Sequence, residues 1–124
     1  MIKTRIIPNL LLQGNSVIKT VKFKDPRMVG DAITNVKVFS SRMADEMVIV
    51  DIEATEKGHI NESLIQRLSA SCNMPLSIGG GIKTIEDAEK LFRSGADKVV
   101  INTSFYSEPD LLKRIANKYG IQSI

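Results

Sequence analysis

The chain contains no tryptophan, one histidine, one cysteine, four phenylalanines and two tyrosines among 124 residues. With so few aromatics, a core has to be built from aliphatic side chains. The single cysteine, Cys72, excludes an internal disulfide and fits a reducing cytoplasm. It reads as the inert end of a helix rather than as a nucleophile. His59 stands alone in a loop, with no cluster of ligating residues around it, so neither a metal site nor a cofactor is expected. No stretch approaches the roughly 20 apolar residues of a membrane span. The opening Met-Ile-Lys-Thr-Arg carries no signal-peptide core. The net charge of +3 comes from scattered lysines without interleaved aromatics. That pattern excludes a nucleic-acid stripe and leaves a mild attraction for phosphorylated small molecules. After the first apolar run there is no Gly-x-Gly-x-x-Gly and no acidic residue awaiting a ribose, which disfavours an open dinucleotide-binding sheet.

What is present is a regular alternation of short apolar runs and helical stripes, in one domain over 1–124. The apolar runs fall at 5–12, 46–52, 76–78 and 98–101, and Pro8 disturbs the first. A turn at 13–16 leads into a small hairpin arm at 17–23, where Lys19, Lys22 and Lys24 alternate with apolar residues. Residues 25–30 read as the rest of a long loop. Helices are expected from Asp31, with Ala32, Ile33, Val36, Phe39 and Met43 on one face, and after Asn61, with Leu64, Ile65 and Leu68. Residues 53–59 read as a loop. A capping box of Ser107 and Asp110 opens the last helix, Gly120 stops it, and Ile121 to Ile124 read as the start of a fifth strand.

The stretch richest in chemistry runs from Pro75 to Thr103. Strand residues Leu76 to Ile78 break at Gly79-Gly80-Gly81, whose backbone can turn sharply and approach a ligand. Thr84 and Asp87 form a capping box, Gly95 ends the helix, and the strand 98–101 closes on Asn102-Thr103. This is one βαβ unit with polar groups at the carboxyl ends of both strands. Amide groups of Gly80 and Gly81 beside a helix start, together with Asn102 and Thr103, suit a phosphate. Absent a ligand, the same residues make a tight strand-to-helix turn. The βα alternation specifies a parallel sheet, either open and doubly wound or part of an eight-stranded barrel, and the missing dinucleotide pattern favours barrel-type packing.

Four segments resemble the cyclase subunit (HisF) family of imidazole glycerol phosphate synthase: Arg-Ile-Ile-Pro at 5–8, Asp-Glu-x-Val-x-x-Asp-Ile at 45–52, Gly-Gly-Gly-Ile at 79–82 and Gly-Ala-Asp-Lys-Val-x-Ile-Asn-Thr at 95–103. The resemblance implies a (βα)8 TIM barrel, of which this chain supplies a (βα)4 half-barrel. It implies a glutaminase partner that delivers ammonia, and a phosphorylated ribulosyl substrate. Gly81, Asn102 and Thr103 match one phosphate site of the family. Arg5, Glu46 and Lys98 match three of the four charged residues at the ammonia entrance, or else form a salt-bridge layer at the barrel bottom. Asp97 matches the partner-facing surface, Lys19 a lysine of the active-site loop and Asp51 an aspartate at the active end, or else Asp51 is a hydrogen-bonded structural residue. The family's catalytic aspartate on the first strand is Leu11 here, which can neither carry a proton nor accept a hydrogen bond.

The Arg-Ile-Ile-Pro-x-Leu-Leu-Leu segment resembles a divergent branch that works with a glutaminase and a sugar amidotransferase in surface-polysaccharide biosynthesis. On that reading the barrel delivers ammonia without cyclising. The alternatives are a true histidine-pathway cyclase and an inactive phosphate-binding half-barrel; a related isomerase of histidine synthesis ranks third among the families. A half-barrel leaves two sheet edges and an inner face bare, so a homodimer or larger assembly that closes the barrel is expected.

Overall fold

A computed structural model describes residues 2–124 of the chain. Four parallel strands form the frame: β1 (Asn9–Gln13), β4 (Met47–Asp51), β5 (Leu76–Gly79) and β6 (Lys98–Val100). An antiparallel arm of β2 (Ser16–Val21) and β3 (Lys24–Asp31) extends the sheet beyond β1, giving the order β3-β2-β1-β4-β5-β6. The crossovers are α1 (Ala32–Ser41), α2 (Ala54–Lys57), α3 (Glu62–Ala70) and α4 (Ile85–Arg93). Beyond β6 follow α5 (Thr103–Ser107) and α6 (Asp110–Tyr119). This is the parallel βα frame of a TIM-barrel half.

Side chains alternate along each strand, which sorts them onto two faces. Leu10, Leu12, Met47, Ile49, Leu76, Ile78 and Val99 join Val36, Leu64, Leu68, Leu91, Leu111 and Ile115 from the helices in one buried aliphatic core. The intervening set, including Leu11, Val48, Val50 and Val100, is only partly covered. Between α4 and α6, Phe92 and Tyr119 stack with ring centroids 4.4 Å apart. Cys72 lies just past α3 with its Sγ against the Met74 carbonyl at 3.3 Å, and burial pushes its thiol pKa up. The cysteine is therefore poorly nucleophilic.

Several local expectations need correction. The first strand begins only at Asn9, because Pro8 has no N–H for the ladder; its carbonyl still accepts from Val48 N at 2.9 Å. Residues 25–30 form a strand, not a loop: β3 pairs with β2 through two register shifts, and Pro26 is tolerated because β3 is the sheet edge. Residues 53–59 hold the short helix α2, closed by Gly58 at φ +67°. Met43 lies beyond α1 at φ +53° and is exposed, so it leaves the helix's buried face. Ser107 and Asp110 make no capping box, since Ser107 is the last residue of α5 and Pro109 opens α6 without a side-chain cap. Ile121–Ser123 coil into a single 3-10 turn rather than a strand. The Ser123 hydroxyl donates to the Gly120 carbonyl at 2.6 Å, a local bond that competes with extension.

Candidate functional site

The carboxyl ends of β4, β5 and β6 open onto a cleft of about 590 Å³. Asp51, Gly80, Gly81, Asn102 and Thr103 all line it. Four polar residues that the sequence reading did not single out join them, Thr55, Lys83, Ser104 and Glu108, along with Ser107, which the sequence offered only as a helix cap. Lys83 stands two residues past Gly81 and was in plain view. Thr55 comes from α2 and Ser104 and Ser107 from α5, short helices that the sequence did not mark.

The glycines are needed first for packing against the chain itself. Gly80 has φ +109°, and a Cβ there would sit 2.1 Å from the Asp51 carbonyl oxygen. Gly81 has φ +70°, and its Cβ would meet the Ala54 side chain at 2.8 Å. The turn therefore presses against the β4–α2 loop, and the close approach expected for a ligand is made to the neighbouring backbone. Asp51 braces that loop from the other side: its Oδ1 accepts from Glu53 N at 2.9 Å and Ala54 N at 3.1 Å.

The start of α4 is closed by its own side chains. Thr84 Oγ1 accepts from Asp87 N, and Asp87 Oδ2 accepts from Thr84 N and Lys83 N, both at 3.0 Å. This capping box is the one the sequence predicted, and it occupies the amides of Lys83, Thr84 and Asp87. Further donors lie nearer the cleft. Among the described residues, the amide groups of Gly81, Thr103 and Ser104 have no protein acceptor. They face a cleft that also carries Lys83 and the polar side chains of Asn102 and Thr103.

The hairpin arm is held near this end by Glu53, whose Oε2 accepts from Gly14 N at 3.1 Å and from the Lys57 ammonium. That hydrogen bond lowers the Glu53 pKa below its ordinary value and raises that of Lys57. Lys19 is exposed on β2 and does not line the cleft. Leu11 lies half-buried on β1, paired with Ile18 on one side and Val50 on the other. Its neighbours are apolar, so no acid–base group stands in the first strand's place at this end.

The opposite, amino end holds a compact charge cluster. Glu46 takes Arg5 on Oε1 and Lys98 on Oε2, the latter at 3.7 Å, and its side chain is 13% exposed. One carboxylate bridging two cations from two other segments joins the ends of β1, β4 and β6. Asp97, just before β6, is bound to the first residue of β5: its Oδ2 accepts from Leu76 N at 2.8 Å, and its own N–H donates to the Leu76 carbonyl at 2.8 Å. Among the described residues no group of His, Cys, Asp and Glu could hold a metal ion, and no helix is long and apolar enough to cross a membrane.

Comparison with known proteins gives this geometry its context. The family model described as histidine biosynthesis protein matches residues 5–124. A Pseudomonas aeruginosa protein provisionally named imidazole glycerol phosphate synthase subunit hisF2 is 44% identical over 100% of this chain and 50% of its own length. A Campylobacter jejuni protein with the same provisional name is 41% identical over the same shares. The imidazole glycerol phosphate synthase subunit HisF of Pasteurella multocida is 39% identical over 100% of this chain and 49% of its own length. The chain thus spans about half the length of the curated relatives it matches. With a match along nearly all its residues, on a parallel βα frame that carries the glycine turn and the paired strand ends, the chain belongs to the histidine biosynthesis protein family, among the HisF-like members of that TIM-barrel fold.

Proposed function

We propose that this half-barrel is part of a HisF-like subunit that accepts ammonia from a glutaminase and passes it on without cyclising, for sugar amidation in surface-polysaccharide biosynthesis. The observation that carries the reading is a contrast between two ends and one missing group. The amino end keeps Arg5, Glu46 and Lys98 joined through one carboxylate, at the positions the family resemblance assigns to an ammonia entrance, and Asp97 lies beside it for the glutaminase to contact. The carboxyl end keeps a cleft with unpaired amides, Asn102, Thr103 and Lys83, fit for a phosphorylated substrate. Between them, Leu11 stands in an apolar row where cyclisation needs a proton carrier. Lys19 contributes from the arm only if the arm folds over the cleft. The setting is the cytoplasm, and no bound cofactor is involved.

The relatives' names favour a second reading, a true cyclase, and the half-length match allows a third, an inactive phosphate-binding unit. One assay separates them. The chain is mixed with a cognate glutaminase, and glutamine turnover is measured with and without a phosphorylated ribulosyl substrate. Stimulated glutamine hydrolysis without imidazole glycerol phosphate supports the proposal. Formation of that product makes the chain a cyclase, and an unmoved glutaminase leaves the inactive unit. We further propose that a second copy covers the bare inner face around Val48, Val50 and Val100. Light scattering on the eluted protein should give twice the chain mass; a stable monomer refutes the pairing.

A further inference from the structure

Ser104 is a serine whose hydroxyl is not aimed at the cleft it borders. It is 8% exposed, and its Oγ donates to the carbonyl of Ile82, on the neighbouring βα turn. The next N–H along, that of Lys83, donates to Asp87 Oδ2 at 3.0 Å. The peptide unit between Ile82 and Lys83 is therefore fixed at both ends, its C=O by α5 and its N–H by the α4 capping box. Ile82 is itself 5% exposed within the core, so the unit cannot swing on its own side chain.

We infer that Ser104 is a positioning residue for anion binding, a role that rests on the phosphate reading of the cleft. Two segments must present donors together: the turn at Gly80–Gly81 and the α5 start at Asn102–Thr103. Apart from β-ladder pairing, the Ser104–Ile82 bond is the direct hydrogen bond that ties these two segments among the described residues. Removing the hydroxyl thus loosens the spacing of the donors. Neither Asn102 nor Thr103 would be altered.

The test titrates the whole chain with inorganic phosphate by calorimetry, alongside S104A and S104T, at a temperature where circular dichroism shows all three folded. S104A should bind phosphate at least about fivefold more weakly, and S104T, which keeps a hydroxyl, should recover to within about twofold of the parent. Amide exchange at 80–83 should speed up in S104A before any phosphate is added. Equal affinity for S104A and the parent overturns the positioning role while leaving the phosphate reading intact. No phosphate binding by the parent overturns that reading and the positioning role with it.

Discussion

Ser94 offers a test of how closely this fold satisfies its buried polar groups. It caps the end of α4, its N–H donates to the Lys90 carbonyl at 3.0 Å, and it is 3% exposed. Among the described residues its Oγ has no hydrogen-bond partner. A buried, unpaired hydroxyl costs about 1–3 kcal/mol of desolvation. Ser94→Ala removes that cost and loses only a few atomic contacts, at about 0.1–0.2 kcal/mol each. The variant should therefore be more stable by about 1–2 kcal/mol. For a domain of this size each kcal/mol moves the melting midpoint by roughly 3–5 °C, so Tm should rise by about 3–10 °C. Thermal and urea unfolding followed by circular dichroism read this directly, with the urea m-value expected to stay constant. Ser104→Ala is the counterpart: its hydroxyl is paired, so the same substitution should lose about 1 kcal/mol. A destabilised Ser94→Ala would refute the reasoning and show that the hydroxyl holds a partner after all.

Gly80→Ala should destabilise by more than about 2 kcal/mol, since the left-handed backbone alone costs about 1–2 kcal/mol for an L-residue and the new methyl would strike the Asp51 carbonyl. An unchanged urea midpoint would contradict that geometry. The Glu53–Lys57 clasp predicts a pH dependence. The folded pKa of Glu53 is depressed below 4.5, so the clasp is complete above that value and is lost as acid passes through the lower folded value. The Glu53 carboxyl carbon should titrate below 4.5 by NMR and move back toward it in Lys57→Ala; a midpoint at or above 4.5 in the parent sinks the idea.

Most of the frame was legible because parallel strands covered by helices leave strong local signatures. Val48 to Val50 is a continuous apolar run, Leu76 and Ile78 flank a buried Ser77, and Asn61 and Thr84 cap their helices through the side-chain bonds their positions predict. The arm was not legible beyond Phe23, because Asp25-Pro26 carries a turn signal and only the edge position of β3 makes it compatible with a strand. The last turn at Ile121–Ser123 was misread for a related reason: strand propensity needs a partner, and a serine hydroxyl reached the nearby carbonyl instead. At the site, the glycine turn and Asn102-Thr103 were recognisable in sequence. A structural, hydrogen-bonded Asp51 was readable as one of two roles, since its bonds reach only two and three residues on, whereas Ser104 was not readable as a brace, because its bond depends on how two βα units meet.

The contact of Gly80 and Gly81 with Asp51 and Ala54 makes adjacent βα units interlocking parts rather than exchangeable ones. A side chain larger than hydrogen at either glycine needs a matching retreat in the preceding unit's loop, and an insertion in that loop needs the glycines to move. Evolution or an engineer therefore cannot reshape one wall of the cleft alone. Loop grafts that cut between β4 and β5 should fail, while those that carry residues 51–54 together with 79–82 should keep the cleft whole.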